Sequence, residues 1–156
     1  MTVKGSYILV LQLDQPLHGL RVGRLGSFDF APGFYLYVGS AFGAGGLAAR
    51  LAHHRRRSKQ HPHWHIDYLR ANARLREAWT VGGPQHFECR WCQALARTPE
   101  VSIPVRHFGS CDTRCSAHLF YLPRAPRSRL LTGIILDSLT EEAPVDLCIE
   151  VHSFAE

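Results

Sequence analysis

The sequence has no long apolar run, so a transmembrane helix is not expected. Its first residues, Met1 to Tyr7, lead straight into a strand-like stretch and lack a signal-peptide pattern. Cysteine is sparse and odd in number, five in all, which argues against a secreted disulfide framework. Reduced thiols in a cytoplasm are expected instead, some of them available as metal ligands. There is no internal repeat, which argues against a solenoid or propeller. Acidic residues are scarce over residues 1–136, where seven face all 18 lysines and arginines for a local net charge of +11. The other six acids lie in residues 137–156, which hold no Lys or Arg. The whole-chain charge of +5 therefore hides a basic body and an acidic tail. Such a body points to a polyanionic partner, nucleic acid first, with a merely solvated basic surface as the alternative.

The length, 156 residues, suits one domain with a real core. The chain is organised around residues 34–54. An aromatic, β-branched strand is followed by a glycine-rich turn ending at Gly46, then by a helix. The glycines let the backbone turn sharply and leave room for close approach. On the helix, Arg50 and His54 are four residues apart and share a face suited to an anionic substrate.

In chain order, residues 7–13 predict a central strand, 20–25 a short second strand, 28–30 an edge and 34–39 another strand. Together they read as an antiparallel meander of about three strands. The first helix runs into Arg55-Arg56-Arg57-Ser58-Lys59, the densest positive stretch, read as a phosphate contact rather than only a solvated helix end. A second helix starts near Trp64, with Trp64 and Tyr68 on one face. In it His65 and Asp67 are read as structural rather than as ligands. Residues 75–81 predict a strand, and 86–97 a helix with a core stripe of Phe87, Trp91 and Leu95. Glu88 projects near that stripe, either as an inward carboxylate needing a cation or as a first-turn dipole partner. A polar, cysteine-rich loop enters an apolar strand ending at Leu122. Pro123 and Pro126 then read as a linker, and residues 145–152 as a strand with one wet face.

Gly5-Ser6-Tyr7 and Tyr37-Val38-Gly39 resemble the two halves of the GIY-YIG nuclease signature. Ser40, Arg50, His54 and Glu88 follow in the order of that family's further site residues. More closely, the chain resembles an uncharacterised GIY-YIG-like subfamily, some of whose members are fused to endonuclease III-type repair enzymes. That match is carried by Gly39-Ser40-Ala41, by residues 45–51, by Trp64-His65-Ile66-Asp67-Tyr68-Leu69, by Glu88-Cys89, and by Phe108-Gly109-Ser110 through Cys115 to His118-Leu119-Phe120-Tyr121. The resemblance implies an α+β fold, a small antiparallel sheet with a three-stranded core flanked by helices, plus an extra C-terminal strand or hairpin. It implies a nuclease-like domain over residues 1–123, with 124–156 a linker and acidic extension packing on it. The long gap between Tyr7 and Tyr37 fits an extra hairpin. The asparagine that often follows the metal glutamate has no counterpart, and Asp112 or His118 are the residues that could take its place.

The activity implied is metal-dependent hydrolysis of DNA phosphodiesters, in a repair setting. Glu88 would hold Mg²⁺ or Mn²⁺, Arg50 would clamp the phosphate, and Tyr7 or Tyr37 would position or deprotonate water, with His54 assisting. Gly39, Ser40, Arg55, Arg56, Arg57 and Lys59 would meet the DNA. The rival reading is a noncatalytic nucleic-acid-binding module of the same fold. A third is a zinc-stabilised interaction domain, since Cys89, Cys115 and His118, with Cys92 or Cys111, have ligand-like spacing. Inert buried thiols are the preferred account of these cysteines, with zinc kept as a cofactor that is possible but not favoured.

Overall fold

The computed structural model describes residues 2–109, 115–137 and 149–156. The central strand is β1 (Gly5–Leu13). The hairpin strands β2 (Leu17–Val22) and β3 (Gly26–Phe30) follow, then β4 (Gly33–Ala41). Helices α1 (Gly46–Arg55) and α2 (His65–Arg70) lead to β5 (Arg74–Gly82). After α3 (Glu88–Ala96) come β6 (Leu119–Leu122), α4 (Ser128–Asp137) and β7 (Glu150–Ser153). The main sheet runs β6-β4-β1-β5-β7, with every neighbouring pair antiparallel. The fold is α+β, as expected.

Two expectations need correcting. The expected three-stranded core is the middle of a five-stranded sheet. The expected meander does not form: β1 pairs directly with β4, while β2 and β3 pair only with each other as a separate hairpin. The reason lies in β1, which alternates two apolar sets. Tyr7, Leu9 and Leu11 face one layer, and Ile8 and Val10 face the other. A strand buried on both faces needs a long apolar partner on each side, which β4 and β5 provide. The short hairpin, half exposed, does not.

Helices cover both faces. Leu47 of α1 and Ile66 and Leu69 of α2 join Val22 and Phe30 of the hairpin over the Tyr7 face. Trp91 and Leu95 of α3 and Leu131 and Ile135 of α4 cover the Ile8 face. Thus the stretch after Pro126, expected as linker, holds a helix. Its apolar signal, Leu131 and Ile135 four residues apart, is obscured by the Pro- and Arg-rich approach. Of the acidic extension, residues 138–148 lie outside the described residues. Residues 149–156 run along β5. There the Glu156 carboxylate meets the buried Arg70 guanidinium at 2.7 Å and accepts the Leu75 N–H.

Candidate active site

Tyr7 enters β1 opposite Gly39 of β4. A Cβ at Gly39 would sit 2.5 Å from the Tyr7 hydroxyl oxygen, so the tyrosine ring occupies space that only glycine leaves. The next residues of β4 lead into the glycine turn. Gly45 and Gly46 have φ of +86° and +61°, the left-handed region that glycine enters freely. This turn starts α1, tied to the chain start by the Leu47 N–H on the Val3 carbonyl at 2.8 Å. On the other side of β1, the Phe87 N–H bonds the buried Ser6 hydroxyl at 3.3 Å. That bond sets the first turn of α3, and with it Glu88, beside the Tyr7 end of β1.

The result is a cleft of about 320 Å³ in which Tyr7, Tyr37, Gly39, Ser40, Arg50 and Glu88 converge. Arg50 donates to the Ser40 carbonyl at 2.9 Å, and its guanidinium lies 4.3 Å from the Trp64 ring centre. These two interactions hold its planar fork at the cleft wall. His54 stands behind the cleft floor, fully buried, with Nε2 2.7 Å from the Tyr7 hydroxyl. Burial pushes its imidazole down to about 3, reinforced by neighbouring cations. It is therefore neutral near pH 7, and Tyr7 donates to Nε2. That leaves the hydrogen on Nδ1, which has no partner among the described residues. Burial raises Tyr7 above the ordinary phenol range, opposed by the charge and hydrogen bond of Arg50. Tyr37, also buried, is raised by burial and then by its neighbours Tyr7 and Glu88.

The remaining wall comes from His63, Trp64, His65, Gly109 and His118. Sequence reasoning gives none of the first four a functional place. Trp64 is expected inside a helix, sharing a face with Tyr68. In the fold Trp64 precedes α2 and stacks on Arg50, and the Gly109 N–H bonds His65 Nδ1 at 2.8 Å, joining the two walls. No local signal announces this, because the bond spans 44 residues. His118 carries a signal in its spacing from Cys115.

Asp67 takes the structural role expected of it. It accepts the N–H groups of His63 and Trp64 at 2.8 and 3.0 Å. Burial works to raise its carboxyl, but these bonds, with Lys59 and His53, hold it below the ordinary range. Lys59 therefore corrects the reading of the basic run. Its ammonium lies 3.3 Å from Asp67 with the side chain only 7% exposed, so it neutralises an acid brought in by the fold. Arg55, Arg56 and Arg57 are exposed, outside the cleft, at the end of α1 and just beyond it.

The buried neutral His54 makes stability depend on pH. Its folded value lies below its unfolded value of about 6.5. The unfolded chain therefore gains a proton first, and stability is lost as pH falls from about 6.5 toward 3. The expected slope from this group is about 1.4 kcal/mol per pH unit. Urea unfolding across pH 7 to 4 checks it. His54→Gln, which keeps an acceptor for Tyr7, should flatten the slope by one proton, and an unchanged slope would rule His54 out as its source.

With the geometry in hand, comparison with known proteins decides the family. The model of the family described as "Domain of unknown function DUF123" matches residues 6–138. The chain belongs to the DUF123 family. No curated protein and no solved structure matches it. The reading of the sequence as a GIY-YIG nuclease family member is therefore corrected: DUF123 is a distinct family, and nothing in the comparisons names the other. A tyrosine opposite a glycine is a packing solution open to any antiparallel strand pair. In this DUF123 chain it seats Tyr7 over Gly39.

Proposed function

We propose that the cleft hydrolyses DNA phosphodiesters, with Tyr7 passing the proton of the attacking water to His54. The observation that carries this reading is the 2.7 Å bond between the Tyr7 hydroxyl and neutral His54, at the floor of a cleft that also holds Arg50 and Glu88. A buried tyrosine is a poor base by itself. Coupled to a neutral imidazole it need not become a free tyrosinate, and because that imidazole is pushed down to about 3 it takes the proton late, as the bond to phosphorus forms. The scissile phosphate lies against Arg50, whose fork keeps N–H donors beyond the one given to Ser40. Water oxygen bonds to phosphorus as the bond to the leaving oxygen breaks. The water proton goes to the Tyr7 oxygen while the Tyr7 proton goes to His54 Nε2. The leaving oxygen takes a proton from solvent, and His54 returns its proton to solvent through Tyr7. Arg50 offsets charge growing on the phosphate.

Among the described residues lining the cleft, Glu88 is the one carboxylate. A hard cation such as Mg²⁺ or Mn²⁺ is satisfied by one or two carboxylates, substrate phosphate oxygens and waters, so this donor fits it. When bound, the ion supplies Lewis-acid polarisation of the phosphate. The lone carboxylate also favours a second reading, a nucleic-acid-binding module without catalysis. Cleavage of labelled DNA by the tag-free protein, with and without Mg²⁺, separates the two.

The DNA partner has its own test. Arg56 and Arg57 are exposed with no acid paired to them among the described residues. Arg56→Ala with Arg57→Ala should weaken DNA binding and reduce its salt slope by up to about one unit for each phosphate no longer neutralised. Titrations at several salt concentrations measure this. An unchanged slope removes these arginines from the interface. Lys59→Ala, by comparison, should mainly lower stability, because it leaves buried Asp67 without its ammonium partner.

A further inference from the structure

The structure assigns a closed tetrahedral zinc site to Cys89, Cys92, Cys115 and His118, built between the first turns of α3 and the segment entering β6. The two halves are Cys-x-x-Cys at 89 and 92 and Cys-x-x-His at 115 and 118. Each half alone is a weak signal, and buried thiols account for either one. The fold supplies what spacing could not. The ligand atoms of Cys92, Cys115 and His118 all lie within 4.8 Å of one another. The fourth donor, Cys89 Sγ, is 2.9 Å from Cys115 Sγ. Cys89 and Cys92 are one helical turn apart on one face of α3, so both sulfurs reach the same partner segment.

Tetrahedral zinc with sulfur at about 2.3 Å separates its sulfur ligands by about 3.8 Å. The 2.9 Å separation of Cys89 and Cys115 and the separations of up to 4.8 Å among the other three bracket that edge. Three soft thiols and an imidazole select zinc over the hard cations suited to Glu88. Four protein donors leave no open position, so the metal is structural and not hydrolytic. Cys92 and Cys115 are buried in the apolar layer beneath α3, whereas Cys89 is exposed and gives the ion a way in. Cys111 lies outside the described residues and is not needed to complete the set.

The position gives the metal a purpose. Cys89 follows Glu88 directly, and His118 lines the same cleft. Zinc here fastens the start of α3 to the opposite wall, fixing two cleft residues that are distant in sequence. Its presence does not depend on whether the cleft cuts DNA.

The test uses the full tag-free chain, expressed in zinc-containing medium and purified under reducing conditions without added metal. Elemental analysis should find about one zinc per chain, falling below about a tenth in Cys92→Ser and Cys115→Ser. A chelator should lower the melting temperature of the wild type. Because the serine variants could fail by misfolding, His118→Cys provides the second arm. It should retain the metal as a four-thiolate site. After cobalt exchange, its sulfur-to-cobalt charge-transfer absorption should rise by about one third, as a fourth thiolate joins three. Folded wild type that binds no zinc when offered one equivalent, with its melting temperature indifferent to chelator, would overturn the assignment. So would a Cys89–Cys115 disulfide, seen as a loss of two hydrogens by mass, in protein kept free of oxygen.

Discussion

Replacing Tyr7 by Phe should lower DNA cleavage by about 10²–10⁴-fold, the range for losing a positioned acid–base group. The ring remains seated over Gly39, so the strand pairing and cleft shape persist. What disappears is the oxygen that bonds His54 at 2.7 Å, and with it the route for the water proton. The buried imidazole is left without that partner, at a stability cost of about 1–3 kcal/mol. A modestly lower melting temperature with intact DNA affinity is therefore the expected background. The wild-type pH profile gives a further check. With His54 pushed down to about 3, the acid limb of kcat/KM should show no inflection near pH 6.5. Cleavage in the Phe variant at the wild-type rate would remove Tyr7 from the reaction.

Replacing Glu88 by Gln should reduce cleavage by about 10²–10³-fold or more while leaving DNA binding in place. Glutamine keeps the size and the hydrogen-bonding capacity of the side chain, and Glu88 is only half buried, so the fold should not suffer. It removes the one carboxylate among the described residues lining the cleft and hence the charge that would hold Mg²⁺. The binding proposed for the exposed Arg56 and Arg57 does not use that charge. Single-turnover cleavage, with DNA affinity measured in parallel, separates the two effects. Loss of affinity as large as the loss of cleavage would show that Glu88 serves binding or folding instead.

Part of the cleft is legible from local rules, namely the Arg50 and His54 helix face and the position of Glu88, whereas Tyr7, Tyr37, Gly39 and Ser40 enter as site residues only through the family resemblance. Tyr7 lies in a strand marked by a nearly continuous apolar run. Gly39 and Ser40 end another strand, Arg50 lies on the helix after the glycine turn, and Glu88 begins a helix with a clear core stripe. Two features are not legible, both for one reason. The pairing of Lys59 with Asp67 and the bond from Gly109 to His65 join distant parts of the chain, and sequence spacing records only neighbours along one element; the thiol cluster is legible as two half-motifs but not as one meeting point. Asp67 illustrates this. In the sequence, Lys59 lies in a run of cations without an acid beside it, yet the fold delivers one to 3.3 Å. The sheet departs from the expected meander for a related reason. A hairpin inserted between β1 and β4 looks like two more strands of a meander, until the double-sided burial of β1 demands longer partners. The α4 helix is hidden because proline and arginine precede it. The family resemblance, read from the short signature with Arg50, His54 and Glu88 in order, is overturned by the match of residues 6–138 to DUF123.

The most direct measurement is cleavage of end-labelled flapped, branched and damaged DNAs by tag-free wild type in Mg²⁺ or Mn²⁺, beside Glu88→Gln prepared identically. A hydrolytic cleft predicts metal-dependent products from the wild type on at least one substrate, and their loss in the variant. Equal cleavage by both proteins would assign the activity to a contaminant or another site. Tight DNA binding by the wild type, with no product from any substrate, would contradict the hydrolytic reading and leave a binding module.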